Sequence, residues 1–115
     1  MSKENISNKP IVEFLKIIAD VTRLEILKIL KDNEMSSSEI QKKLGRSQST
    51  TSKHLNMLVD NNLISFERKN NIKYYKQNRI IDVYNLIDQI NSIIMSINRE
   101  KLKEIRDADI IDTLS

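Results

Sequence analysis

With 115 residues, the chain is long enough for one domain built around one modest core. Apolar residues make up 39% and charged residues 30%, and with three Tyr, two Phe and no Trp the core must be filled by Ile and Leu. The absence of cysteine excludes disulfides, thiolate metal sites and thiol redox sensing, and no apolar run approaches the length of a membrane-spanning helix.

Residues 1–10 are polar and have no hydrophobic stretch of the signal-peptide kind. A flexible N-terminus and a soluble, cytoplasmic protein with no membrane partner are therefore expected. Charge is unevenly spread. Residues 42–79 carry nine Lys/Arg against Asp60 and Glu67, a local +7, while the segments on either side are net negative. Phosphate contacts depend on local charge, so a basic middle between acidic ends is what a polyanion-binding face requires.

Taken in chain order, residues 11–18 place Ile11, Phe14, Leu15 and Ile18 at helical spacing behind Pro10, which predicts a first amphipathic helix. Asp20 is suited to cap a second helix over 22–31, with Leu24, Leu27 and Leu30 at the centre of a wide apolar face flanked by Ile26 and Ile29. Asp32 and Asn33 end it. Ser36 and Glu39 have the spacing of a capping box, which opens a short third helix with Ile40 and Leu44 inward. Gly45 can close that helix in the left-handed conformation. Ser47 then caps a fourth helix reaching about Asn61, with Leu55 and Leu58 inward. Two helices joined by so short a turn form a helix-turn-helix.

Residues 63–68 alternate Ile64 and Phe66 with Ser65 and Glu67, and residues 72–77 read as a partner strand. Asn70 and Asn71 between them tolerate positive φ, so a tight hairpin is expected. Its tip is basic, with Arg68, Lys69 and Lys73. One of Tyr74 and Tyr75 should face the core, and alternation does not say which. From Ile80 to Ala108 the pattern is helical again, with Val83, Ile87, Ile90, Ile94 and Ile97 in three- and four-residue steps. Such a helix is longer than a core this size can cover, which predicts that part of the stripe buries against a second copy. A helix broken near Ser92 or Ser96, or one folded back on its own domain, is the alternative.

The expected fold is mainly α with a small β-hairpin, a winged helix-turn-helix in the order α-α-α-α-β-β-α, dimerising through its first and last helices. It divides into residues 1–10 as a flexible N-terminus, 11–79 as the DNA-binding domain, 80–108 as the dimerisation helix and 109–115 as an acidic tail. Phe14, Ile87, Ile90, Ile94 and Ile97 are the candidate dimer residues.

The fourth helix carries the functional signal. Its first two turns are almost wholly Ser, Thr, Gln and Lys, which are no better than middling helix formers, so something other than propensity selects them. At 100° per residue, Gln48, Ser49, Ser52, Lys53 and Asn56 share the face opposite Leu55 and Leu58. Side chains of this kind hydrogen-bond phosphate oxygens and base edges. The candidate DNA-binding set is Ser47, Gln48, Ser49, Thr50, Ser52, Lys53 and Asn56, with Arg68, Lys69 and Lys73 from the hairpin.

Residues 15–27 (LKIIADVTRLEIL) resemble the opening of ArsR/SmtB-type regulators, and residues 47–58 (SQSTTSKHLNML) resemble their recognition helix. Asn61, Asn62, Leu63 and Ile64 match the segment that leads into the wing. The resemblance covers roughly residues 11–79 and implies DNA contacts at Gln48, Ser49, Ser52 and Lys53. Val21 stands where the family usually has Pro. Thr51 replaces a buried Val, and its hydroxyl is expected to bond back to the Ser47 carbonyl. Many such regulators sense metals through Cys in the third-helix segment or His and Asp in the last helix. Here Ser36, Ser37 and Ser38 occupy the former, the latter has no His, and His54 is the only histidine. Three or four N/S ligands cannot be assembled, so no metal and no cofactor is implied. Asp107, Asp109 and Asp112 read as a solvated acidic tail. A titrating His54 that alters DNA affinity is the minor alternative to a packing role.

No phosphate-binding Gly loop exists, and the usual nucleophile arrangements are unavailable, so the chain is not read as an enzyme. The expected function is a sequence-specific regulator binding double-stranded DNA as a homodimer. The alternatives are a winged-helix module that docks on a protein and a sequence-tolerant architectural DNA binder. A small-molecule or protein effector is compatible with all three.

Overall fold

A computed structural model of the chain describes residues 7–114, with side chains described through Ala108. The described chain forms two compact units, divided between Ile81 and Asp82. The first holds α1 (Asn8–Ile18), α2 (Val21–Ile29), β1 (Met35–Ser36), α3 (Ser37–Leu44), α4 (Gln48–Asp60), β2 (Ile64–Lys69) and β3 (Ile72–Gln77). The second is α5 (Val83–Leu114).

The first helix begins earlier than Pro10 suggests. The Ser7 hydroxyl caps it by accepting from the Lys9 N–H, and Pro10 sits inside the first turn, where its missing N–H has no partner to lose. Residues 8–10, expected in a flexible segment, are thus helical, and residues 1–6 of that segment lie outside the described residues. Of the stripe on α1, only Ile18 is buried; Ile11 and Leu15 are exposed and Phe14 is half-buried. Asp20 caps α2 as expected, its Oδ1 accepting from the Arg23 N–H at 3.0 Å. The helix stops at Ile29 rather than near Lys31, and its face centres on Ile26, Leu27 and Leu30, with Leu24 and Ile29 half-buried.

The capping box at α3 is complete. Ser36 Oγ accepts from the Glu39 N–H, and Glu39 Oε1 accepts from the Ser36 N–H at 2.9 Å. That second bond holds the Glu39 carboxyl below its ordinary range. Gly45 closes α3 at φ 65°, donating its N–H to the Gln41 carbonyl at 2.8 Å. Ser47 caps α4, accepting from the Thr50 N–H. At the other end of α4, Asn62 takes φ 62°, and the N–H groups of Asn62 and Leu63 bond to the Val59 and Leu58 carbonyls. This Schellman arrangement satisfies the orphan carbonyls and turns the chain into β2.

The sheet has three strands in the order β1-β3-β2, antiparallel throughout, rather than the two of the expected hairpin. The extra strand pairs Met35 with Tyr75 and Ser36 with Tyr74. Between β2 and β3 the turn is two residues, Asn70 at φ 53° and Asn71 at φ 65°, the positive-φ pair that matches the twist of a hairpin. Tyr75 is the inward tyrosine; it is buried, and its ring lies 5.8 Å from that of Phe66.

Thr51 departs from expectation. Its side chain is fully buried, yet its hydroxyl has no hydrogen-bond partner among the described residues; the contact to the Ser47 carbonyl comes from the Thr51 backbone N–H. A buried hydroxyl without a partner is costly, and Val has nearly the same shape. Thr51→Val should therefore stabilise the fold by about 1 kcal/mol and raise the midpoint of thermal unfolding by a few degrees, read by calorimetry.

In the second unit, α5 starts at Val83, not Ile80. The Asn78 carboxamide oxygen captures the Ile80 N–H and the Asn78 carbonyl takes that of Ile81, so this stretch is a turn and Ile80 is 92% exposed. Asp82 accepts from the Asn85 N–H where the helix begins. The helix is unbroken at Ser92 and Ser96. It also continues through residues 109–114, expected as a separate tail, although the side chains of Asp109 and Asp112 lie outside the described residues. Along α5, Ile87 and Ile90 are half-buried, and Ile94 and Ile97 are 48% and 49% exposed. Among the described residues, no helix is long and apolar enough to cross a membrane.

Candidate nucleic-acid interface

Capping decides how α4 presents its side chains. Ser47, Ser49 and Thr50 cluster at its start. Ser47 Oγ lies 3.0 Å from Thr50 Oγ1 and 3.3 Å from Ser49 Oγ. Ser47 and Thr50 are thus engaged in holding the helix start, Ser49 touches the same cluster while staying exposed, and Gln48 extends from the first turn. Burial divides the helix as its periodicity predicts. Thr51, Leu55 and Leu58 are inside; Gln48, Ser49, Lys53 and Asn56 are exposed, with Ser52 half-buried beside them. One flank is a hydroxyl- and amide-rich surface running from Gln48 to Asn56, and the other is the domain core.

The basic hairpin residues, expected as one patch, fall on two faces. In the β2–β3 register Arg68 stands opposite Lys73, on the same face as the Phe66–Tyr75 pair. Lys69 stands opposite Ile72 on the other face, with Glu67 and Tyr74. The surroundings differ accordingly. Lys73 Nζ lies 4.5 Å from the centre of the Phe66 ring, and neither it nor Arg68 has a carboxylate within ion-pair reach among the described residues. Lys69 is paired with Glu34 at 2.7 Å and lies over the Tyr74 ring; the Glu34 carboxylate holds its ammonium above the ordinary lysine value. Lys76 is likewise paired with Glu67.

Glu34 thus neutralises the Lys69 charge on this face of the hairpin. An exposed pair of this kind is weak and exchangeable. Glu34→Gln should tighten binding to any duplex about two- to fivefold at low salt, without changing sequence preference. Fluorescence anisotropy against random and specific duplexes checks this.

Residues 16–54 also contain a network that sequence patterns do not reveal. The Arg23 guanidinium, 11% exposed, donates from Nε to the Ile17 carbonyl and from Nη2 to the Lys16 carbonyl, both in the last turn of α1. Its Nη1 lies 3.0 Å from Nδ1 of His54 on α4. Asp20 stands beside both, 4.0 Å from Arg23 Nη1 and 3.9 Å from His54 Nδ1. The Arg23 backbone N–H, and then its guanidinium charge, keep the Asp20 carboxyl below its usual range, although partial burial opposes them. His54 is therefore part of the scaffold behind the exposed face. Among the described residues, no group of three or more His, Cys, Asp or Glu is placed to hold a metal ion.

Comparison with known proteins agrees with this geometry. The family described as "Bacterial regulatory protein, arsR family" matches residues 20–65, from the α2 cap into β2. The arsenical resistance operon repressor of Staphylococcus aureus is 33% identical over 103 residues, covering 90% of this chain and 98% of that protein. The transcriptional repressor SdpR of Bacillus subtilis (strain 168) is 36% identical over 84 residues, covering 73% of this chain and 89% of that one. Among solved structures, NolR from Sinorhizobium fredii is similar with a TM-score of 0.69 at 33% identity, over 81% of this chain and 93% of that one. A capped helix-turn-helix, a three-stranded wing and this full-length similarity together establish that the chain belongs to the arsR family of bacterial regulatory proteins.

Proposed function

We propose that the protein is a cytoplasmic transcriptional repressor that binds an inverted-repeat operator in double-stranded DNA as a homodimer. The observation that carries this reading is the division of α4, with Gln48, Ser49, Ser52, Lys53 and Asn56 outside and Thr51, Leu55 and Leu58 inside. That outward set would enter the major groove, where Gln pairs bidentately with adenine and hydroxyls serve either base or phosphate. Arg68 and Lys73, which have no carboxylate partner among the described residues, would contact phosphates directly, and Lys69 would exchange Glu34 for a phosphate.

Dimerisation is supported by apolar surface that each unit leaves uncovered, Ile11 and Leu15 on α1, and Ile94 and Ile97 on α5. Phe14, Ile87 and Ile90 would complete the interface. Two-fold symmetry then spaces the recognition helices about one DNA turn apart, roughly 10 base pairs. Repression, rather than activation, is supported by the names of the two curated relatives, and regulation rather than catalysis by the family.

Gel shift with random duplex at low salt tests the DNA-binding core of the proposal. A shift that weakens steeply with salt is expected, since several Lys and Arg displace counterions. No shift would favour a protein-docking module. A shift without any preferred sequence would favour an architectural binder.

A further inference from the structure

The Arg23 network joins three helices and has no part in the DNA contacts proposed above. A guanidinium offers donors and no acceptor. The 3.0 Å contact from Arg23 Nη1 therefore requires Nδ1 of His54 to carry its lone pair. A hydrogen bond of that direction uses the neutral imidazole with its proton on Nε2. The guanidinium is also tied to the Ile17 and Lys16 carbonyls. Those oxygens end α1, where helix carbonyls lack intrahelical partners and attract cations. Arg23 cannot move toward or away from α4 without releasing α1.

A proton on Nδ1 would reverse the contact. One N–H would face another, and an imidazolium would face a guanidinium. Asp20 Oδ1, 3.9 Å from Nδ1, offers the alternative partner. The charged groups facing the imidazole are Arg23 on α2 and Asp20 at its cap; the two α1 carbonyls are bonded to Arg23, and Lys53, next to His54 on α4, lies on the exposed face. His54 is only 13% exposed.

We propose that Arg23 and His54 form a proton-operated latch between the α1–α2 corner and α4. Neutral His54 accepts from Arg23 and seats the helix; protonated His54 releases Arg23, turns to Asp20 and shifts the helix. Arg23 is then a positioning residue for the outward set, because His54 lies between Lys53 on the reading face and Leu55 in the core. The latch itself needs no DNA, and its effect on operator affinity rests on the function proposed above.

Two measurements on the full chain separate these levels. Nitrogen-detected NMR of the His54 ring, without DNA, should find Nδ1 unprotonated at about pH 8. Lowering the pH to about 6 should move the ring, the Arg23 Nε signal and the α4 amides together. A proton on Nδ1 at the higher pH, or α4 amides that do not follow the ring, overturns the latch. Affinity for a selected operator, at fixed ionic strength, should fall about three- to tenfold over the same interval, the scale of one lost hydrogen bond. His54→Asn keeps an acceptor near the Nδ1 position and cannot gain a proton, so its profile should be flat. Equal pH dependence in both proteins overturns the latch. If His54→Asn does not fold, the wild-type NMR titration decides. Failure of the wild type to bind duplex at the higher pH contradicts the proposed function and leaves the NMR result to judge the latch.

Discussion

Replacing Gln48 and Ser49 together by Ala should erase the preference for operator over random duplex by about two orders of magnitude, while affinity for random duplex changes less than about threefold. The magnitude follows from the one to three kcal/mol that a good bidentate base contact contributes to discrimination, roughly five- to 150-fold. The asymmetry follows from the structure. Both side chains are exposed on the first turn of α4, while Arg68 and Lys73, the cations proposed to contact phosphate, are untouched. Ser47 still caps the helix, and Ala is a better helix former than either residue it replaces. The variant should therefore fold as the wild type does, which circular dichroism would verify. Unchanged operator affinity would mean that reading occurs on another face.

The second large effect concerns assembly. Ile94→Asp combined with Ile97→Asp should leave a folded monomer whose operator affinity falls by about two to four orders of magnitude. These side chains are half exposed in the single chain, so their replacement removes little from its own core. Along the 32-residue helix, the exposed apolar side chains between Ile93 and Ile105 mark an interaction surface. Once the second copy is lost, each half-site must be bound independently, and the linked second binding event disappears. Sedimentation equilibrium reads the mass and anisotropy the affinity. A variant that remains dimeric would remove α5 from the interface.

What could be read from the chain beforehand depended on whether the signal was local. The Ser36–Glu39 capping box, the left-handed Gly45, the Ser47 cap and the Asn70-Asn71 turn are each decided within a few residues, and all formed as their chemistry dictates. The exposed face of α4 was equally legible, because burial there obeys one helical period. Boundaries set by competing local bonds were harder. The Ser7 hydroxyl, not Pro10, opens α1, and the Asn78 side chain removes Ile80 from the start of α5.

Tertiary features left no local trace. The strand β1 is two residues long, too short to show alternation, and exists because β3 offers an edge to pair with. The Arg23–His54 contact spans 31 residues and the Lys69–Glu34 pair 35. The division of the hairpin cations follows from register, which places Arg68 and Lys73 opposite each other and Lys69 on the other face. A count of basic residues cannot distinguish those faces. Thr51 is a similar case: a hydroxyl expected to bond backward along its helix is buried without a partner among the described residues.

Within the arsR family, this chain joins a capped helix-turn-helix to a sequence without cysteine, and its single histidine is in contact with Arg23. The most direct test of the central claim is selection of bound sequences from a random duplex pool by the wild-type protein. Enrichment of an inverted repeat whose half-sites lie about one helical turn apart is the expected result. Enrichment of no sequence, or of a single unrepeated site, would contradict it.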